Sequence, residues 1–291
     1  MESITDTLYV SDMDGTLLDG ESRVSAESRR LLNAAIAAGA LFTVATARTP
    51  ATVAGLLQGI DLPLDVIVMT GAARWNLQTG RYSHVKHFPA PLAQTIIQTL
   101  LQYRYPSFIY TLDQDLLHIY RVGPMNAMEK DFIAWREHTP FKRVNFDTSE
   151  SGDVWNQPLP DPSKVILFYS LQPEEAMEQF VPVIKGVAPD ASVLHYLDGD
   201  PGASGLGSLE MFAPGATKAN AVRQMAEELG VKRTVVFGDN VNDLTMLRCA
   251  DMAVAPLNAI EAVKQTAAQV IGPNTDNSVA RFIARQCRIN C

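Results

Sequence analysis

Four carboxylates in this chain occupy positions where packing alone seldom wants them. Asp12 and Asp14 lie one residue apart in "SDMDGTLL", directly after the apolar run "TLYV", and Asp239 and Asp243 lie four apart in "GDNVND", directly after "TVVF". Like charges held close together repel, and a buried carboxylate without a partner is costly, so something must neutralise each pair. An acidic residue often caps a turn or a helix, and Asn240 or Asn242 could serve that purpose in the second segment. Two carboxylates are more than capping needs. A calcium loop is excluded, because Val241 stands at the third position where an oxygen ligand is required and no Gly or Glu follows at the needed spacing.

Hard oxygen ligands from Asp12 and Asp239 suit Mg2+, which keeps several waters and binds phosphate oxygens beside one or two carboxylates. Gly15 lets the backbone turn sharply and offers an amide to an anion, and Thr16 adds a hydroxyl and another amide, a small nest for an oxyanion. Lys218 in "PGATKANAV" points the same way. Thr217 reads as a helix N-cap, which puts Lys218 in the first turn, where the helix dipole disfavours a cation by some tenths of a kcal/mol. A local rule broken without packing gain marks a functional position.

These residues must be brought together by the elements around them. "TLYVSD", "LFTVAT" and "DVIVMTG" read as buried strands, separated by helices over "SAESRRLLNAAIAAG", with Ser25 as N-cap and Gly39 as C-cap, and over "TPATVAGLLQG", with Pro50 in its first turn. The alternation is βαβαβ and predicts a parallel sheet. It returns after residue 213 as helix "TKANAVRQMAEELG", strand "RTVVFGD", helix "NDLTMLRCA", strand "DMAVAP" and helices "NAIEAVKQTA" and "NSVARFIARQC". The chain between changes character. It carries a helix around Leu92 to Tyr103, a hairpin in "SFIYTLDQDLLHIY" turning at Asp113-Gln114-Asp115, a helix near Met125 to His138, the strand "KVILFYS", a helix from Glu174 to Gly186, and strands "SVLHYL" and "SLEMF". Strands arriving in pairs predict an antiparallel α+β insertion. The expected architecture is therefore an α/β, doubly wound parallel sheet over 1–83 and 213–291, interrupted by an α+β domain over 84–212. In such a sheet, ligands collect at the carboxyl ends of the strands, and Asp12 with Asp14, Thr46 with Arg48, Thr70, and Asp239 with Asp243 all stand at such ends.

Size and composition agree. At 291 residues with 47% hydrophobic and 19% charged side chains, the chain is long enough for two domains and far from the disordered class. A net charge of -8, with no basic run longer than Arg29-Arg30 or Lys232-Arg233, argues against nucleic acid as a partner. The N-terminal "MESITDTLYV" has no basic region before an apolar stretch and no segment nears a roughly 20-residue apolar span, so a cytoplasmic protein with no membrane association is expected. Cys249, Cys287 and Cys291 form no C-x-x-C pair, which argues against a disulfide framework or a zinc site. The Gly-rich "DGDPGASGLGS" lacks the strand-to-helix context of a dinucleotide fingerprint. His84 and His87 on an extended segment face opposite sides and make a poor metal pair, and Trp75, Trp135 and Trp155 read as packing residues.

Four separated segments together resemble the haloacid dehalogenase-like (HAD) phosphohydrolases: "DMDGTLL", Thr46 in "VATAR", Lys218, and "GDNVNDLTML", in that order across nearly the whole chain. The long insertion resembles the large α+β cap of the Cof-type subfamily. The resemblance implies that Asp12 is the nucleophile that forms an aspartyl phosphate and that Asp14 is the general acid and base. It implies that Gly15, Thr16, Thr46 and Arg48 bind the phosphoryl group with Lys218, and that Asp12, the carbonyl of Asp14, and Asp239 hold Mg2+ with Asn242 and Asp243 in support. Ala47, Thr70 and Ala219 depart from the subfamily's usual residues, and none of them is the nucleophile, the acid or a metal ligand. The expected activity is hydrolysis of a small phosphomonoester, such as a sugar phosphate, since a large cap closing over the core excludes bulky phosphoproteins. Two alternatives remain at this level: a hexose phosphate phosphomutase, which passes the phosphoryl group to a second hydroxyl, and a silent phospho-ligand-binding module. Oligomeric state is not legible.

Overall fold

The computed structural model describes residues 6–136, 139–197 and 205–289. The Gly-rich loop from Asp198 to Ser204, the last two residues of the helix expected to reach His138, the side chain of Trp135, and Cys291 lie outside the described residues. The chain divides into two compact units, Met1–His84 with Thr217–Cys291, and Val85–Ala216.

The first unit opens with β1 (Thr7–Ser11), α1 (Ala26–Ala37), β2 (Leu41–Val44) and α2 (Pro50–Leu56). Ser25 caps α1 by accepting the Ser28 N–H at 3.0 Å, and Gly39 leaves the helix at φ +100°. The apolar run after α2 is a strand only at β3 (Val66–Val68). It pairs antiparallel with β4 (Ala73–Trp75), which pairs with β5 (Tyr82–Ser83), and touches β2 through one parallel bridge, Ala45 to Ile67. The expected third strand thus lies parallel to β2 but meets it at that one bridge, and the short antiparallel ladder it opens with β4 and β5 was not expected. The reason lies at Met69 and Thr70, whose φ values of +49° and +56° turn the chain back before a longer ladder can form.

The second unit is α3 (Ala90–Gln102), β6 (Ser107–Asp113), β7 (Leu116–Val122), α4 (Ala127–Arg136), β8 (Lys142–Val144), β9 (Val165–Pro173), α5 (Glu174–Val187), β10 (Ser192–Leu197) and β11 (Leu206–Phe212). Its sheet runs in the order β10-β11-β9-β6-β7-β8, antiparallel except for the β7–β8 pair. The β6–β7 hairpin turns on Gln114 and Asp115, both at positive φ, as a two-residue turn requires. Beneath it a buried ion pair, Arg121 with Glu129 at 2.8 Å, sits against the Phe108 ring.

The first unit then resumes with α6 (Lys218–Leu229), β12 (Arg233–Phe237), α7 (Leu244–Cys249), β13 (Met252–Ala255), α8 (Glu261–Thr266), β14 (Gln269–Val270) and α9 (Ser278–Gln286). Its main sheet has the order β14-β13-β12-β1-β2 and is parallel throughout. The strands are buried runs such as Leu8, Val10, Val236 and Ala255, packed against Ala221, Val222 and Met225 of α6 and Met246 and Leu247 of α7. Burial on both faces explains why these strands read as continuous apolar stretches. The sheet grows outward in both directions from β1, so the carboxyl ends of β1 and β12 meet at the switch in strand order, the usual ligand position in such folds. Among the described residues no helix is long and apolar enough to cross a membrane.

Candidate active site

Asp12 follows β1 and is fixed by its own N–H, which donates to the Phe237 carbonyl at 2.9 Å. Beyond it the chain makes a tight turn over Met13–Leu17, closed by the Leu18 N–H donating to the Met13 carbonyl at 2.9 Å. Gly15 adopts φ +71° there, and a Cβ at that position would stand 2.3 Å from Oδ2 of Asp239. Only glycine lets the turn lie flat against that carboxylate. Thr16, next in the turn, donates its hydroxyl to Oδ1 of Asp239 at 2.8 Å.

Lys218 reaches the same place from the other side. The Thr217 hydroxyl caps α6 by accepting the Asn220 N–H at 3.1 Å, which fixes Lys218 in the first turn. Its fully buried ammonium donates to Oδ1 of Asp12 at 2.6 Å and to Oδ1 of Asp243 at 2.8 Å. Gly71 makes room for this helix start, since a Cβ on it would come within 2.3 Å of the Thr217 carbonyl. Asp243 is completely buried; its other oxygen accepts the backbone N–H groups of Asp239 and Asn240 at 3.0 and 3.2 Å. Asn240 is the cap of this turn, and Asn242 makes no side-chain hydrogen bond among the described residues.

Ligand oxygens of Asp12, Asp239 and Asp243 lie within 4.8 Å of one another. Burial pushes the Asp12 carboxyl upward, opposed by Lys218 and reinforced by Asp243. Burial also pushes Asp239 up to about 6, with the Thr16 hydroxyl opposing it. The Lys218 ammonium is disfavoured by burial, yet its two carboxylate partners outweigh that and hold its pKa above the ordinary lysine value. When all three carboxylates are ionised, one ammonium leaves two negative charges at the cluster, which a divalent cation would offset. The all-oxygen donor set suits Mg2+, and the residues fit it.

Asp14 and Arg48 form a separate pair. The guanidinium grips the half-exposed carboxylate at two points, Nε to Oδ2 at 2.7 Å and Nη2 to Oδ1 at 2.5 Å. Arg48 was expected on a phosphoryl group; here it is engaged by Asp14, and that contact raises its pKa. Thr46, beyond β2, is buried, and its hydroxyl accepts the Arg48 N–H at 3.1 Å. Thr70 donates its N–H to the Thr46 carbonyl at 3.0 Å, and among the described residues its buried hydroxyl has no partner. His84 stands apart, 3.0 Å from Glu228. Asn258 was outside the expected set, yet its Nδ2 donates to the Gly15 carbonyl at 2.7 Å. Its place just past the carboxyl end of β13 is the signal that could have found it.

The family model of haloacid dehalogenase-like hydrolases matches residues 9–283. Among curated proteins, the chain is 25% identical to the 5-amino-6-(5-phospho-D-ribitylamino)uracil phosphatase YcsE of Bacillus subtilis, over 97% of this chain and 96% of that one. It is likewise 25% identical to the pyridoxal phosphate phosphatase YbhA of Escherichia coli, over 96% and 98%. Among solved structures, TM0651 of Thermotoga maritima superposes with a TM-score of 0.73 at 21% identity, covering 96% of each chain. The HAD subclass IIB sugar phosphatase BT4131 superposes with a TM-score of 0.71 at 22% identity, covering 96% of this chain and 98% of that one.

Proposed function

The chain belongs to the haloacid dehalogenase-like hydrolases, and from that premise we propose that it is a Mg2+-dependent phosphatase of small phosphomonoesters, working through an aspartyl phosphate on Asp12. The observation that carries this reading is the buried Asp12–Lys218–Asp243 cluster with Asp239 beside it. Such a grouping is costly as a structural device and suits a site that receives a cation and an anion together.

Each side chain has a task in this reading. Asp12 attacks phosphorus, and the bond to the leaving oxygen breaks as the new phosphorus–oxygen bond forms. Asp14 gives a proton to that oxygen, then removes one from the water that attacks the aspartyl phosphate and frees inorganic phosphate. Proton uptake at Asp14 removes the negative charge that Arg48 holds at both oxygens and so loosens the pair. Arg48 is then available for a phosphoryl oxygen. Lys218 offsets charge between nucleophile and phosphoryl group, the Thr46 hydroxyl and the Gly15 and Thr16 amides receive the equatorial oxygens, and Asp243 holds Lys218 and the Asp239 backbone in place. Asp12, Asp239 and the Asp14 carbonyl would hold Mg2+, with Asp243 and Asn242 in support. Bound there, Mg2+ would supply the positive charge that offsets the repulsion between the phosphate dianion and these carboxylates.

The relatives named for pyridoxal phosphate and 5-amino-6-(5-phospho-D-ribitylamino)uracil support small phosphorylated metabolites as the substrate class. Phosphate release is therefore measured on p-nitrophenyl phosphate, those two compounds and a set of hexose monophosphates, with Mg2+ and with excess EDTA. Metal-dependent release of inorganic phosphate, with no hexose isomer formed, is the expected result. Isomer formation without phosphate release refutes hydrolysis, and turnover that survives EDTA refutes the metal.

A further inference from the structure

From the contacts of Asn258 we infer that it is a positioning residue, which sets the aim of the Thr16 amide at the phosphoryl group by holding the Gly15 carbonyl; this rests on the phosphatase reading above. Asn258 lies in the loop between β13 and α8, outside all four motif segments. Its Nδ2 donates to the Gly15 carbonyl at 2.7 Å, and its Oδ1 accepts the Asn274 N–H at 3.0 Å. Asn274, from the loop before α9, donates its own side-chain amide to the Leu18 carbonyl at 2.8 Å. Two loops thus grip the nucleophile turn at two carbonyls that bracket Thr16. The same β13–α8 loop donates the Ile260 N–H to the Asp239 carbonyl at 3.0 Å, so it braces both acid-bearing strand ends at once.

The consequence for chemistry follows from peptide geometry. The peptide bonds of the described residues are all trans, and in a trans peptide the C=O and N–H point in opposite directions. A Gly15 carbonyl turned toward Asn258 therefore turns the Thr16 N–H away from that loop. Gly15 is the residue of the turn least able to hold its own conformation, so an outside donor is what fixes the peptide plane. A side-chain amide suits the task because it donates to the turn while its carbonyl oxygen is anchored by a backbone N–H.

Asn258→Asp separates the two halves of this contact: it keeps the oxygen that accepts from Asn274 and removes the donor to Gly15. Asn33 supplies a matched control in the same unit, since its Nδ2 donates to the Gly59 carbonyl at 2.9 Å and its Oδ1 accepts the Asp61 N–H at 3.0 Å, with all three residues outside the motif segments. Wild type, Asn258→Asp and Asn33→Asp are compared by thermal midpoint, by kcat and KM on p-nitrophenyl phosphate with Mg2+, by inhibition with vanadate, and by amide exchange of the Met13–Leu18 segment. Asn258→Asp is expected to lower kcat and weaken vanadate inhibition by about fivefold each, the scale of one hydrogen bond, with KM within about twofold. Exchange of the Met13–Leu18 segment is expected to quicken. Asn33→Asp should leave kcat, vanadate inhibition and that exchange unchanged. A variant at 258 with wild-type kcat and vanadate inhibition overturns the inference, and so does an equal loss of kcat at 33. Wild-type protein that releases no phosphate overturns instead the phosphatase reading on which it rests.

Discussion

Lys218→Met tests the centre of the site, because it removes one charge and little volume. The Lys218 side chain is fully buried, and its ammonium lies 2.6 Å from Asp12 and 2.8 Å from Asp243, themselves 8% and 0% exposed. Breaking a buried pair by deleting one partner leaves an uncompensated charge and costs about 3–5 kcal/mol. In a protein of this size each kcal/mol moves the thermal midpoint by about 2–4 °C, so a fall of about 10 °C is expected. The assay is thermal unfolding in EDTA, at pH 5 and at pH 8.

The two pH values carry the sign. Burial already holds Asp12 and Asp239 above their ordinary range, and loss of the ammonium pushes Asp12 higher still. A carboxyl whose folded pKa is raised is tolerated below its unfolded pKa, where both states are protonated, and costs stability as pH climbs through the folded value. The deficit of Lys218→Met against wild type should therefore be smaller at pH 5 than at pH 8. Phosphate release should fall by about 10²–10³-fold, the scale of one lost electrostatic contact to the transition state. A variant as stable as wild type at pH 8, or one whose deficit grows toward pH 5, refutes the assignment of a paired, buried ammonium.

The remaining expectations use the same geometry. Asp12→Asn should abolish phosphate release from p-nitrophenyl phosphate with no loss of thermal midpoint in EDTA, since it removes a desolvated charge and leaves Lys218 its Asp243 partner; undiminished turnover would reject the nucleophile. Mg2+ should raise the midpoint of wild type more at pH 8 than at pH 5, because protons compete for Asp239, pushed up to about 6, and for Asp12; an equal shift at both, followed calorimetrically, counts against these ligands. Gly15→Ala forces a Cβ to within 2.3 Å of Asp239 Oδ2 at φ +71°, and should cost about 1–3 kcal/mol in denaturant unfolding as well as the Mg2+-dependent rise in midpoint.

The elements that carry the motifs were legible in the sequence for a physical reason. Parallel strands covered on both faces are largely apolar runs, and β1, β2, β12 and β13 are such runs, each followed within three residues by a polar side chain: Asp12, Thr46, Asp239 and Asn258. The β6–β7 hairpin was legible from its turn residues. The two- and three-residue strands β4, β5, β8 and β14 were not, because so short a ladder has no period to read. The reversal of the chain after β3 was hidden as well: nothing in "DVIVMTG" announces that a Met and a β-branched Thr will take positive φ. In the site, Lys218 stood out because it breaks a helix rule and the acids because they crowd. Asn258 and Asn274 broke no rule. Asparagine is the ordinary residue of loops, and the partner of Asn258 is a backbone carbonyl 243 residues away, which leaves no trace in local pattern.

The four acids divide by what balances them, and that division places the cation more narrowly than their proximity does. Asp12 and Asp243 share Lys218, and Asp14 is held by both arms of Arg48. Asp239 alone among them has no cationic partner among the described residues; a hydroxyl from Thr16 and the edge of Gly15 are its neighbours. Its carboxyl is accordingly driven upward by burial, with the Thr16 hydroxyl the main opposing group and Lys218 acting only at a distance. Asp243 is the least suitable ligand, since one oxygen is spent on Lys218 and the other on two backbone amides. The charge the fold leaves unbalanced thus lies between Asp239 and Asp12, at the mouth of the Met13–Leu17 turn. If that is where the divalent cation belongs, Asp239→Asn should abolish the Mg2+-induced rise in thermal midpoint while Asp243→Asn, whose loss falls on Lys218, should retain part of it. Equal metal responses in the two variants would contradict this placement.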